Sequence, residues 1–145
     1  MKLNVLATAA LFGSLLLPVA HAQVIGTIQG NIPFNFSVSN RVLPAGNYSV
    51  SALSTRGVFK LQNRDHNAIT IMFLSSPVQA SSEQKTKLVF HRYGDTYFLS
   101  QVWRGYGDDG VQLQPSKTER VTAERMATAA KPHKVELASA PFHHK

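Results

Sequence analysis

The sequence predicts an all-β fold, a sandwich or partly open barrel of short antiparallel strands with one C-terminal helix. Three observations carry that reading. Short runs of alternating apolar and polar residues, separated by turn residues at even spacing, fill the chain from about residue 24 to 103. Within KLVFHRYGDTYFLSQVW, residues 87–103, two strand-like runs flank the two-residue Gly94-Asp95 turn, the kind of link that closes a β-hairpin. After Pro115, Ser116-Lys117-Thr118-Glu119 has the spacing of a helix capping box, and the following run is free of Gly and Pro.

The elements follow in order. Lys2, the apolar stretch LATAALFGSLLLPVA and Ala20-His21-Ala22 predict a secretory signal peptide over 1–22, cleaved before Gln23. Gly13 and Pro18 interrupt the apolar run, which disfavours a retained membrane anchor. The chain has no cysteine, which excludes lipoprotein acylation and a disulfide framework. A single β domain is expected over 23–138, including a helix at about 116–130, with 139–145 as a flexible tail. A chain of this size buries roughly two-thirds of its unfolded surface, enough to fold on its core alone.

Val24–Gln29 is a first candidate strand. Ile32, Phe34, Phe36 and Val38 then alternate with polar partners, and Pro33 marks an edge or a strand start. Ser39-Asn40 turns the chain, and Leu43-Pro44-Ala45-Gly46 turns it again, launching Tyr48, Val50 and Ala52 on one face of a third strand. Residues 58–62 and 68–74 read as a second hairpin around the polar loop 63–67. Ser75–Thr86 reads as a mobile surface loop, and RGYGDDG, 104–110, closes the strand that ends at Trp103. Beyond the helix, which Lys131-Pro132 stops, Val135-Glu136-Leu137 returns as a last short strand. Seven or eight strands are expected in all.

A regular ladder built outward from Gly94-Asp95 pairs Tyr93 with Thr96, Arg92 with Tyr97, His91 with Phe98, Phe90 with Leu99, Val89 with Ser100 and Leu88 with Gln101. One face then carries Leu88, Phe90, Arg92, Tyr97, Leu99, Gln101 and Trp103. The other carries Val89, His91, Tyr93, Thr96, Phe98, Ser100 and Val102. Both faces are apolar enough for a central hairpin.

Function is less legible. The formal charge of +7 falls by one when Lys2 leaves with the signal; such a balance keeps a secreted protein soluble and favours anionic partners only weakly. His143-His144 lies at a terminus, and the sequence shows no spacing for three or four convergent metal ligands. Asp65, Asp95, Asp108 and Asp109 fall in turns, where aspartate serves turn chemistry, and the serines lack a G-x-S-x-G elbow. Arg92, Tyr93, Tyr97, Phe98, Trp103, Arg104 and Tyr106 mix bases with aromatics as single-strand binders do, but Tyr97 and Trp103 fall on the core face, which argues against nucleic acid. His91, between Val89 and Tyr93 and opposite Phe98, and Arg92 beside it are the candidate ligand-binding residues. No catalytic, cofactor-binding or metal-ligating residue is assigned.

The chain resembles a family of small secreted acidobacterial proteins of unknown function. The likeness lies in Ile32-Pro33-Phe34-Asn35-Phe36-x-Val38, in Leu43-Pro44-Ala45-Gly46-x-Tyr48-x-Val50, and in Leu88-Val89-Phe90-His91-Arg92-Tyr93-Gly94-Asp95-x-Tyr97-Phe98-Leu99-Ser100. The second of these also looks like a turn-strand unit of prealbumin-like sandwich modules. The resemblance implies export and a β fold, and brings no activity or binding residues.

The expectation is therefore a periplasmic or extracellular, non-enzymatic binding or envelope-associated structural module. Its partner would be an anionic envelope polymer or another envelope protein, with no cofactor and no integral membrane segment. The alternative is a small extracytoplasmic hydrolase or ligand carrier with a pocket near His91 and Arg92.

Overall fold

The computed structural model describes residues 27–53, 57–66, 69–78, 85–105, 110–127, 133–138 and 140–141. Among them are eleven strands and one helix, so the fold is all-β with a C-terminal helix, as the alternation predicts. The strands are β1 (Ile28–Ile32), β2 (Phe36–Val38), β3 (Arg41–Leu43), β4 (Gly46–Ala52), β5 (Val58–Asn63), β6 (Thr70–Val78), β7 (Lys87–Tyr93), β8 (Thr96–Trp103), β9 (Gly110–Leu113), β10 (His133–Ala138) and β11 (Ala140–Pro141); α1 spans Lys117–Met126. Their number exceeds the seven or eight expected because β3, β9 and β11 are too short to leave a periodic signal.

The strands pair in the order β10-β7-β8-β9-β6-β5-β4-β1-β11, with β2 joined to β3 and, in parallel, to β8. The sheet does not close into a barrel. Instead β6 carries it around a corner: Thr70–Leu74 pair with β5, while Ser75–Val78 pair with β9. The two halves meet through Phe36, whose ring packs edge-on against Tyr48 of β4 at 5.1 Å and Phe90 of β7 at 5.6 Å. Ile28, Val50, Leu61 and Phe73 from one half and Leu88, Leu99, Val102 and Leu113 from the other complete a single buried core.

Turn chemistry sets the corners. Ser39 and Asn40 both have positive φ, as a two-residue type I′ link between β2 and β3 requires. Gly94 has φ +60° and Asp95 does not follow it into that region, the type II′ pattern. In the Pro44-Ala45-Gly46 turn, the Tyr48 hydroxyl donates to the Pro44 carbonyl at 2.8 Å and fixes the entry to β4.

Several expectations need correction. The alternating run from Ile32 is broken, since Pro33 lacks a ladder donor and Phe34 swings out to stack on Tyr97 at 3.9 Å; Ile32 ends β1, and of the rest only Phe36–Val38 pair as a strand. The loop expected from Ser75 starts later, because the polar residues Ser75 and Ser76 still pair with β9. The 87–103 hairpin has the predicted register from Tyr93 to Phe90 and then shifts. A β-bulge makes Val89 pair with Gln101 and Leu88 with Val102, leaving Ser100 as the extra residue. Val102 therefore joins the core with Leu88, and Gln101 and Trp103 go to the opposite face from the one predicted.

The helix begins as predicted, with Ser116 Oγ accepting from the Glu119 N–H at 3.1 Å, and ends at Met126 before the Ala127 cap. Of the expected tail, Ala140–Pro141 pairs with β1. The expected signal peptide, loop residues 79–84 and 106–109, helix residues 128–130 and His143-His144 lie outside the described residues.

Candidate functional site

Among the described residues, and apart from the Lys87–Glu136–Lys134 ion pairs, two places gather polar side chains. The first lies where α1 crosses the β7–β8 hairpin. His91 points to the helix side, and its Nδ1 is 2.8 Å from Glu119 Oε1 while its Nε2 is 3.1 Å from Ser100 Oγ. A carboxylate only accepts, so Nδ1 carries the proton donated to Glu119. Ser100 shares the face of His91, as the regular ladder already places it, and the bulge leaves it without a cross-strand partner there. The capping box supplies the rest: Glu119 takes its backbone bond from Ser116, then sends its carboxylate across to the hairpin. Asn40 Oδ1 accepts from Thr118 N at 3.2 Å and Thr118 Oγ1 at 3.1 Å, tying the same helical turn to the β2–β3 link.

Serine, histidine and carboxylate in this order are the parts of an acyl-transfer relay. Access decides against that use of them here. Ser100 is 4% exposed and Glu119 5%, so an electrophile meets the His91 edge, with its side chain 33% exposed, and not the hydroxyl. Tyr93 closes the flank, its ring edge-on to His91 at 6.4 Å, and burial together with the nearby Glu119 charge raises its phenol above the ordinary value. Glu119 is the one buried residue of α1, so the helix is docked by hydrogen bonds more than by an apolar stripe.

Arg92 faces the other way. Its Nε donates to the Gly94 carbonyl at 2.7 Å, its guanidinium lies 5.4 Å from the Tyr97 ring centre, and Asp95 is 3.5 Å away. It clamps the turn. The structure thus does not bring His91 and Arg92 into a common pocket; adjacent strand residues project to opposite faces.

The second place is an open polar depression of about 440 Å³ at the β1–β4 end of the sheet, lined by Gln29, Gly30, Asn31, Asn47, Tyr48, Arg64 and Asp65. Outward-facing positions of two paired strands supply Gln29, Asn31 and Asn47. The loop after β5 folds back to supply the other wall: Asn63 Oδ1 accepts from Asp65 N and His66 N, both at 2.8 Å, and Arg64 N donates to the Asn47 carbonyl at 2.8 Å. Asp65 then accepts from Asn47 N at 2.7 Å and from Asn47 Nδ2 at 3.0 Å. Those bonds, the backbone one foremost, hold its carboxyl below the usual carboxylate range. Gly46, at φ +154°, leaves room for it, since a Cβ there would sit 2.9 Å from Asp65 Oδ2.

Across the depression Asn31 Nδ2 donates to Asn47 Oδ1 at 3.1 Å, and Arg64 Nη1 bonds Gln29 Oε1. The volume falls in the range of about 300–1,000 Å³ usual for small-molecule sites. Sequence reasoning missed this place, although polar residues at the alternate positions 29, 31, 47 and 49 and the Asn63-Arg64-Asp65 loop were its signal. No group of three or more His, Cys, Asp or Glu that could hold a metal ion gathers among the described residues, and none of their helices is long and apolar enough to cross a membrane. Compared with protein-family models, curated proteins and solved structures, the chain matches none.

Proposed function

We propose that this protein is an exported, envelope-associated binding module whose contact surface is the polar depression formed by β1, β4 and the loop after β5. The observation that carries the reading is the contrast between the two polar places. At the hairpin the reactive side chains satisfy one another under a helix; at the depression the side chains are each held by a neighbour and still open to solvent. The leader-like residues 1–22 support export.

The test is co-sedimentation of the protein with envelope fragments of the producing cell at low and high salt. Mass spectrometry of the envelope-derived protein should give a chain starting at Gln23. Binding that survives high salt supports recognition at the depression, and binding that vanishes with salt supports attraction through net positive charge alone. Absence of binding at any salt contradicts the proposal.

One observation favours a second reading, a small extracytoplasmic hydrolase: the Ser100–His91–Glu119 hydrogen-bonded line. A fluorophosphonate that labels Ser100 in the folded protein would establish it. The burial of Ser100 predicts no label.

A further inference from the structure

Resting on the binding-module reading, we infer that the depression takes a neutral polyhydroxylated ligand, a saccharide presenting vicinal hydroxyls, and takes it by hydrogen bonding at the ring edge. A donor and acceptor inventory leads there. Gln29 uses its Oε1 on Arg64, which leaves its amide N–H groups without a partner among the described residues. Asn31 uses one Nδ2 hydrogen on Asn47 and leaves its Oδ1 open. Arg64 retains N–H groups beyond the one bound to Gln29, and Asp65, bonded on one side by Asn47, has acceptor capacity on the other. Donors on Gln29 and Arg64 and acceptors on Asn31 and Asp65 therefore line one concavity, and each is fixed by its second bond.

Other ligand classes fit less well. A phosphate or carboxylate would confront Asp65, which lines the same wall as Arg64 and offsets its charge. A divalent cation would find one carboxylate where several oxygen ligands are needed. An apolar ligand would meet no exposed aliphatic wall, and Tyr48, the aromatic among the lining residues, is 1% exposed. A hydroxyl both donates and accepts, so a diol can satisfy two neighbours of opposite kind at once. The same burial of Tyr48 withholds a stacking platform, which sets the expected affinity in the millimolar range.

The experiment is an amide NMR titration of the isotopically labelled protein recovered from the producing cells. The probes are maltotriose, cellotriose and mannotriose, beside heparin hexasaccharide and vesicles rich in phosphatidylglycerol. A neutral trisaccharide should shift the side-chain amides of Gln29, Asn31 and Asn47 saturably, and equally at low and high salt. Asn31→Ala and Arg64→Met should each weaken it roughly ten-fold, the loss expected for a hydrogen bond involving a polar or charged group, with the remaining spectrum unchanged. If the neutral sugars shift nothing and heparin or the vesicles shift the same amides, the ligand class is overturned and the binding module stands. If none of the five probes shifts them but envelope fragments do, the ligand class is again overturned. If the fragments fail as well, both proposals fall.

Discussion

Glu119 Oε1 lies 2.8 Å from His91 Nδ1, so the carboxylate that a capping box would return to its own helix end is spent on the neighbouring hairpin. That one bond ties the N-terminal turn of α1 to the centre of β7. Because the helix buries no other residue fully, removing it should loosen α1 before the sheet. Glu119→Ala is expected to cost about 1.5–3 kcal/mol, the range for losing a hydrogen bond to a charged group. Denaturant unfolding gives the loss, and hydrogen exchange should show faster opening in 117–126 than in β7. Equal protection in both proteins would mean that the helix is held some other way.

The type II′ turn makes a second expectation. Gly94 at φ +60° has open space, its nearest contact for a Cβ being Met126 Cε at 3.6 Å, so a side chain there is opposed by backbone conformation and not by crowding. Gly94→Val should cost about 1–3 kcal/mol, and Asp95→Ala, at an exposed position, much less. An unchanged melting temperature in the valine variant would contradict the turn assignment.

Ser100 can be separated from its hydroxyl. Ser100→Ala removes one hydrogen bond to a histidine that solvent also reaches, and should cost about 0.5–1.5 kcal/mol. Deleting Ser100 removes the bulge instead, turning Val102 out of the core and Trp103 into it. The deletion should abolish cooperative unfolding, followed by the fluorescence of the single tryptophan. A cooperative transition in the deletion protein would show that the bulge does not set the register.

Asp65 supplies a pH dependence with a definite sign. Its folded pKa is lowered by the Asn47 bonds, so its contribution is fully present above the unfolded value of about 3.9 and is lost as pH falls through the still lower folded value. The Asn47 amide resonance should hold its position from neutral pH down to about 4 and move only below that. Movement centred at or above pH 4 would contradict the bonded loop. In Asp65→Asn the step should vanish.

How much of this was legible depended on whether a residue's role was local. The Gly94-Asp95 hairpin, the Ser39-Asn40 link, the Ser116 cap and the Pro44–Gly46 turn each announce themselves within a few residues, since φ preferences and caps are short-range. The bulge was not legible. Either face of 98–103 has enough apolar residues, and only the core shared with strands far apart in sequence selects Val102 over Trp103. Alternation already put Ser100 on the face of His91; that Glu119 meets the same histidine follows from the helix crossing, which no local signal announces. The depression was hidden for the same reason, because Asn31, Asn47 and Asp65 are far apart in sequence and converge only when β1 pairs with β4 and the loop after β5 folds back.

The central claim, that recognition occurs at the depression and not at the hairpin histidine, is tested most directly by binding of three proteins to the same envelope fragments. Wild type, Arg64→Met and His91→Gln are compared at high salt, with near-ultraviolet circular dichroism to verify that each is folded. The account predicts that Arg64→Met loses roughly ten-fold in affinity while His91→Gln binds as wild type does. Full binding by Arg64→Met together with loss in folded His91→Gln would contradict it.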